Sequence, residues 1–188
     1  MATTDAIAFW GDTIISLLQN GLAALSPAPA VLLSTADDFK NSPPTPPAVT
    51  VFLYHLAIAS ELRNTPRRST NGGASRPALP LELRFLVTPW TSTPRDAYRI
   101  AGLIAQLFYD HAVLGFGELL GPGVWAPDDS VEIVMESLPV EELYDIWDPT
   151  EIPYKLSLTY LSRVIGIDSA FSTVGSRVVS AAFPKASA

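Results

Sequence analysis

The sequence has no cysteine. That removes disulfides, thiolate nucleophiles and every cysteine-based zinc site, and it fits folding in a cytoplasm. Charge is scarce as well: charged residues make up 16% of the 188, whereas a free monomer usually carries about 25%. With 48% hydrophobic residues, either the fold buries an unusual share of itself or part of its surface is covered by other chains. No long apolar run explains the excess. VTVFLYHLAIA, residues 49–59, is about half the roughly 20 residues a spanning helix needs, so no membrane insertion is expected. The first residues, MATTDAIAFWGD, include Asp5 and no Lys or Arg, unlike the basic start of a signal peptide.

Basic residues are missing from a whole region. Between Asp110 and Glu151 there are eleven acids and no Lys or Arg, a sum of −11. Between Arg63 and Arg99 there are seven basic residues against Glu82 and Asp96, a sum of +5. The net charge of −7 argues against a nucleic-acid partner. The split is read either as two solvated faces or as a head-to-tail assembly, the basic face of one subunit meeting the acidic face of the next. Exposed ion pairs are worth only about 0–1 kcal/mol each, so they would orient subunits rather than hold them.

Periodicity predicts the elements. Ile7, Trp10, Ile14, Leu17 and Leu18 recur at helical spacing, with Thr3 or Thr4 as cap. VLLST reads as a short strand, and DDFKNSPPTPPA as a proline-rich loop that excludes helix and central strand. Residues 49–59 are apolar on both faces, as in a covered central strand. Residues 64–78 form a loop with three arginines, and LPLELRFLVT an alternating strand. Thr93, Pro94 and Asp96 start a helix with Ile100, Ile104 and Phe108 on one stripe. GFGELLGPGVWAPDDS is a loop, VEIVMES a strand, LPVEELYDIW a short helix and PYKLSLTYLSRVIGI the last strand. Trp147 is expected to close the short helix by packing inward, with Pro149 and Pro153 stopping it. The predicted class is α+β (mixed α/β): one mixed sheet of about four to five strands with helices packed on it. Residues 1–168 are expected to be one domain, and 169–188 a flexible tail or assembly arm.

No catalytic constellation emerges. His55 in its strand reads as a packed or interface histidine, and His111 as a cap near a helix end. Asp110 and His111 are helix neighbours about 100° apart, and no G-x-S-x-G elbow supplies a nucleophile. Glu141, Glu142 and Asp145 look like a carboxylate cluster, yet acids in the first turns of a helix favour its dipole. Asp37-Asp38 and Asp128-Asp129 lack calcium-loop spacing, and Gly72-Gly73 lacks the rest of a phosphate loop. No cofactor, metal or enzymatic activity is expected.

Four blocks in order carry a family likeness: LYHLAIASELRNTP, LPLELRFLVTPW, AYRIAGLIAQLFYDHAVL and VEIVMESLPVEELYDIWDPTEIPYKLSLTYLSRV. Leu53 and Tyr54 followed by Arg63 and Asn64, the Leu86-Val87-Thr88 strand end, His111 to Leu114, and Ile146-Trp147 with Pro153 to Ser157 are the matching positions. Over about residues 49–168 the sequence resembles the N-terminal domain of the cap, or tail-terminator, proteins of extracellular contractile injection systems. It departs at His55, where a basic residue is common, and in its long 66–78 loop. A second, C-terminal domain found in many members is expected to be lacking.

The resemblance implies a tail-terminator-like fold and a structural role. Such proteins form a ring, usually a hexamer, that ends and braces the inner tube and sheath away from the baseplate. Sheath and tube proteins are then the partners, with assembly in the cytoplasm as part of a particle that is released or retained. A prophage tail terminator or another adaptor of such a particle is the alternative; a small ligand-binding domain or enzyme fits less well. The interface residues implied are Arg63, Asn64, Arg67, Arg68, Arg76, Glu141, Glu142 and Asp145.

Overall fold

The computed structural model describes residues 2–59, 69–70, 73–75, 78–170 and 172–173. Its elements in chain order are α1 (Ala6–Leu22), β1 (Ala30–Leu33), α2 (Ala36–Asn41), β2 (Ala48–Ile58), β3 (Ser69–Thr70), β4 (Gly73–Ser75) and β5 (Leu79–Trp90). Then come α3 (Pro94–Asp110), β6 (Val113–Gly115), β7 (Ser130–Met135), α4 (Val140–Trp147), a 3-10 turn (Asp148–Thr150), β8 (Leu158–Ile167) and β9 (Ser172–Thr173). The main sheet has six strands in the order β1-β2-β5-β8-β7-β6, and β3-β4-β9 form a small second sheet. Only the β1–β2 pair of the main sheet is parallel. The class is mixed α+β, as the sequence predicts, but the main sheet is larger than the four to five strands expected. β6 accounts for part of the difference: three residues ending in glycine are too short to show alternation.

Alternation along β5 separates two cores. Leu81, Leu83, Phe85 and Val87 face α1 and α3, while Leu86 and Trp90 face α2 and α4. On the first face Trp10 meets Phe85 edge-on at 5.1 Å, and Phe108 meets Tyr160 at 4.7 Å. Trp10 Nε1 donates to Ser162 Oγ at 2.9 Å, tying α1 to β8 and satisfying a buried indole. Gly21 lets the two helices approach, because a Cβ there would lie 2.5 Å from Leu107 Cδ2. On the second face Phe39, Trp90 and Trp147 cluster; Phe39 stacks on Trp147 at 5.5 Å with 20° between the planes.

Some local readings change. Residues 37–41, expected as loop, are helical within α2 because Thr35 and Asp38 form a capping box: Thr35 N donates to Asp38 Oδ2 at 2.7 Å, and Asp38 N donates to Thr35 Oγ1 at 3.4 Å. The Thr35 backbone bond and then its hydroxyl hold the Asp38 carboxyl below its ordinary pKa. The prolines that suggested a loop fall after the helix ends. α1 begins at Asp5 with no side-chain cap, so neither Thr3 nor Thr4 fills that role. β2 is covered on both faces only over Ala48–Val51, and its later residues open to solvent. β8 starts at Leu158, five residues after Pro153. α3 begins as predicted, with Thr93 as cap, Pro94 in the first turn and Ile100, Ile104 and Phe108 buried.

Candidate assembly surfaces

α4 is positioned by its inner stripe. Leu143, Ile146 and Trp147 pack into the second core, so Val140, Glu141, Glu142, Tyr144 and Asp145 are turned to solvent. Tyr144 is 56% exposed, and its ring lies 5.3 Å from that of Tyr154. Of the residues singled out from sequence, Glu141, Glu142 and Asp145 therefore share one open helix surface. Arg63, Asn64, Arg67, Arg68 and Arg76 lie outside the described residues.

α3 presents a second open surface that sequence reasoning passed over. With Ile100, Ile104 and Phe108 inward, the outward stripe is Arg95, Tyr98, Arg99, Gly102, Gln106 and Tyr109. Tyr98 and Tyr109 are 66% and 84% exposed. The signal was available: a tyrosine at each end of a helix that keeps its apolar residues on the other stripe. Neither Arg95 nor Arg99 makes an ion pair with another described residue.

Among the described residues the acidic and basic regions meet at one ion pair. Arg84 Nη1 lies 3.3 Å from Glu136 Oε1 on the α4 side of the sheet. Tyr54, the extra residue of a bulge between Leu53 and His55, sits beside them. Burial, and then the Glu136 charge, push its phenol up to about 12. Tyr54 Oη, Arg84 Nε and Glu136 Oε2 are buried without a hydrogen-bond partner among the described residues.

The histidines are placed otherwise than in a catalytic set. His55 is exposed on β2 rather than packed, and His111 caps α3 with its Nδ1 3.5 Å from Glu118 Oε1. Among the described residues no group of three His, Asp or Glu side chains could hold a metal ion, and no helix is long and apolar enough to cross a membrane. A cleft of about 260 Å³ lies where the α1–β1 loop meets α3, lined by Leu25, Pro27, Pro47, Asp96, Arg99 and Ile100. It holds no pair of converging acid and base groups beyond Asp96, whose carboxylate already accepts from the Thr93 hydroxyl at 2.6 Å.

The family model of the Pvc16 N-terminal domain matches residues 11–181. Among solved structures, the chain is similar to the sheath/tube terminator of the PVC extracellular contractile injection system in its extended state. That likeness has a TM-score of 0.68 at 16% identity and covers all of this chain and 65% of the other. It is also similar to the anti-feeding prophage cap, a tube-terminating cap, with a TM-score of 0.59 at 18% identity over 89% of this chain and 59% of that one. The chain thus spans less than two thirds of either protein, and at these identities what is shared is the tail-terminator fold. No curated protein matches the chain.

Proposed function

Because the chain belongs to the Pvc16 N-terminal domain family, we propose that it is a structural terminator of a contractile, phage-tail-like injection particle. It closes into a ring, a hexamer in this reading, on the last layer of tube and sheath, stops their growth and braces them during contraction. The observation that carries the reading is the agreement of fold over the full chain with a sheath/tube terminator. The low charged fraction and the oppositely charged segments support it, since a closing ring needs heterologous, complementary faces. That the similar solved structures are a terminator and a cap supports reading this chain as a non-enzymatic part. In this reading the protein folds in the cytoplasm and leaves it, if at all, only within the particle. Residues 1–168 form the terminating domain in the same reading, and 169–188 a tail or assembly arm, which is tied to its own chain where β9 pairs with β4.

The test uses the purified full chain with tube and sheath polymers. Bound end-rings in electron micrographs and a halt in polymer elongation are expected. A strict monomer in sedimentation at high concentration, with no binding to polymer ends, would sink the proposal.

A further inference from the structure

Two helices on opposite faces of the sheet carry the same pattern with opposite charge. α3 opens Arg95-Asp96-Ala97-Tyr98-Arg99, and α4 opens Glu141-Glu142-Leu143-Tyr144-Asp145. Each places a charge, a tyrosine and a second like charge at positions i, i+3 and i+4, all exposed. Four residues of helix rise about 6 Å, so both charge pairs can align at once when the helices lie side by side. Resting on the ring reading above, we propose that this is the contact between neighbouring copies: the Arg95–Tyr98–Arg99 face of one subunit docks on the Glu141–Tyr144–Asp145 face of the next.

Three observations support a second copy as the occupant. First, α3 packs on the Phe85 side of the sheet and α4 on the Leu86 side, so one chain cannot bring the two faces together. A contact between unlike faces is heterologous and propagates from copy to copy until it closes. Second, arginines in the first turns of α3 sit at the positive end of the helix dipole, where cations are disfavoured. Neither forms an ion pair with another described residue, so their charge is left open to an acidic partner. Third, arginine and tyrosine are the residues enriched at the centres of protein interfaces, and both open faces are built from them and their acidic counterparts.

The experiment is a charge exchange in the full chain, read as oligomer mass by sedimentation and as end-rings on tube and sheath. R95E/R99E alone and E141R/D145R alone should each weaken self-association by at least about tenfold. The combined variant, R95E/R99E/E141R/D145R, should regain wild-type rings, which also shows that the single-face variants were folded. Single-face variants that assemble like wild type, or a combined variant that fails to recover, would overturn this contact. If wild type still caps polymer ends in either case, the terminator reading stands and only the contact is wrong. A wild-type chain that neither associates nor binds ends would overturn both.

Discussion

Tyr54 and Tyr160 carry hydroxyls that are buried without a hydrogen-bond partner among the described residues. A buried phenol in that state is held neutral, because ionising it would place an unpaired charge away from water. Burial accordingly pushes both groups from 10.0 up to about 12, with Glu136 adding to the effect at Tyr54. Since the folded state keeps these protons longer than the unfolded chain, the stability they contribute is fully present below pH 10.0. It is lost as pH rises toward about 12. The double variant Tyr54→Phe, Tyr160→Phe should flatten the fall in melting temperature across that window; an unchanged slope would show that other groups control alkaline unfolding. At neutral pH Tyr160→Phe should change stability by no more than about 1 kcal/mol, because no hydrogen bond is lost and the ring contacts with Phe85 and Phe108 remain. Helix periodicity puts Tyr98 off the apolar stripe of α3. No comparable signal showed that the hydroxyls of Tyr54 and Tyr160 would be buried, since that depends on what packs over each strand.

The segment IWDPTEIPYKLSLTYL joins an element to its neighbour, and most of that was legible. Trp147 ends α4 and is almost fully buried, stacked on Phe39 across the second core. Pro149 lies in the 3-10 turn, and Glu151 then takes a left-handed φ of 57° to reverse the chain. What the pattern overstated is the strand: Tyr154 lies against Tyr144 with the rings tilted by 44°, and pairing begins only at Leu158. Alternation of apolar residues shows that a stretch is extended but not that a neighbouring strand is there to pair with it. The capping box of α2 was hidden for a similar reason, because a threonine and an acid three residues on, followed closely by a proline run, read equally well as a turn. Since Phe39 of α2 and Trp147 of α4 stack on each other, these two short helices depend on a shared contact. Trp147→Ala should cost about 3–5 kcal/mol by denaturant titration and release both helices. A loss below about 1 kcal/mol would mean the second core closes around the gap.

At the scale of the molecule, composition pointed outward before any fold was visible, whereas strand order did not. Patterns name strands, but the placement of β8 between β5 and β7 comes from long-range pairing that no local period records. The charge division has the opposite character: it is plain in the sequence, and its use depends on which faces the fold keeps open. α4 leaves its acids exposed, so they remain available to a basic face elsewhere. The proposed interface arginines at 67, 68 and 76, together with Arg63 and Asn64, lie outside the described residues, so they are tested by assembly. Reversing Arg67, Arg68 and Arg76 to Glu turns the 63–99 segment from +5 to −1, since each reversal changes the charge by two. If that segment meets the acidic face of a neighbour or the sheath, like charges then oppose each other and assembly weakens. The remaining assembly should also respond less to salt, because the screened attraction has been removed. Ring yield measured against salt concentration separates the cases. Wild-type yield and wild-type salt dependence in the reversed variant would show that these arginines only solvate the surface, and would leave α3 as the basic partner of α4.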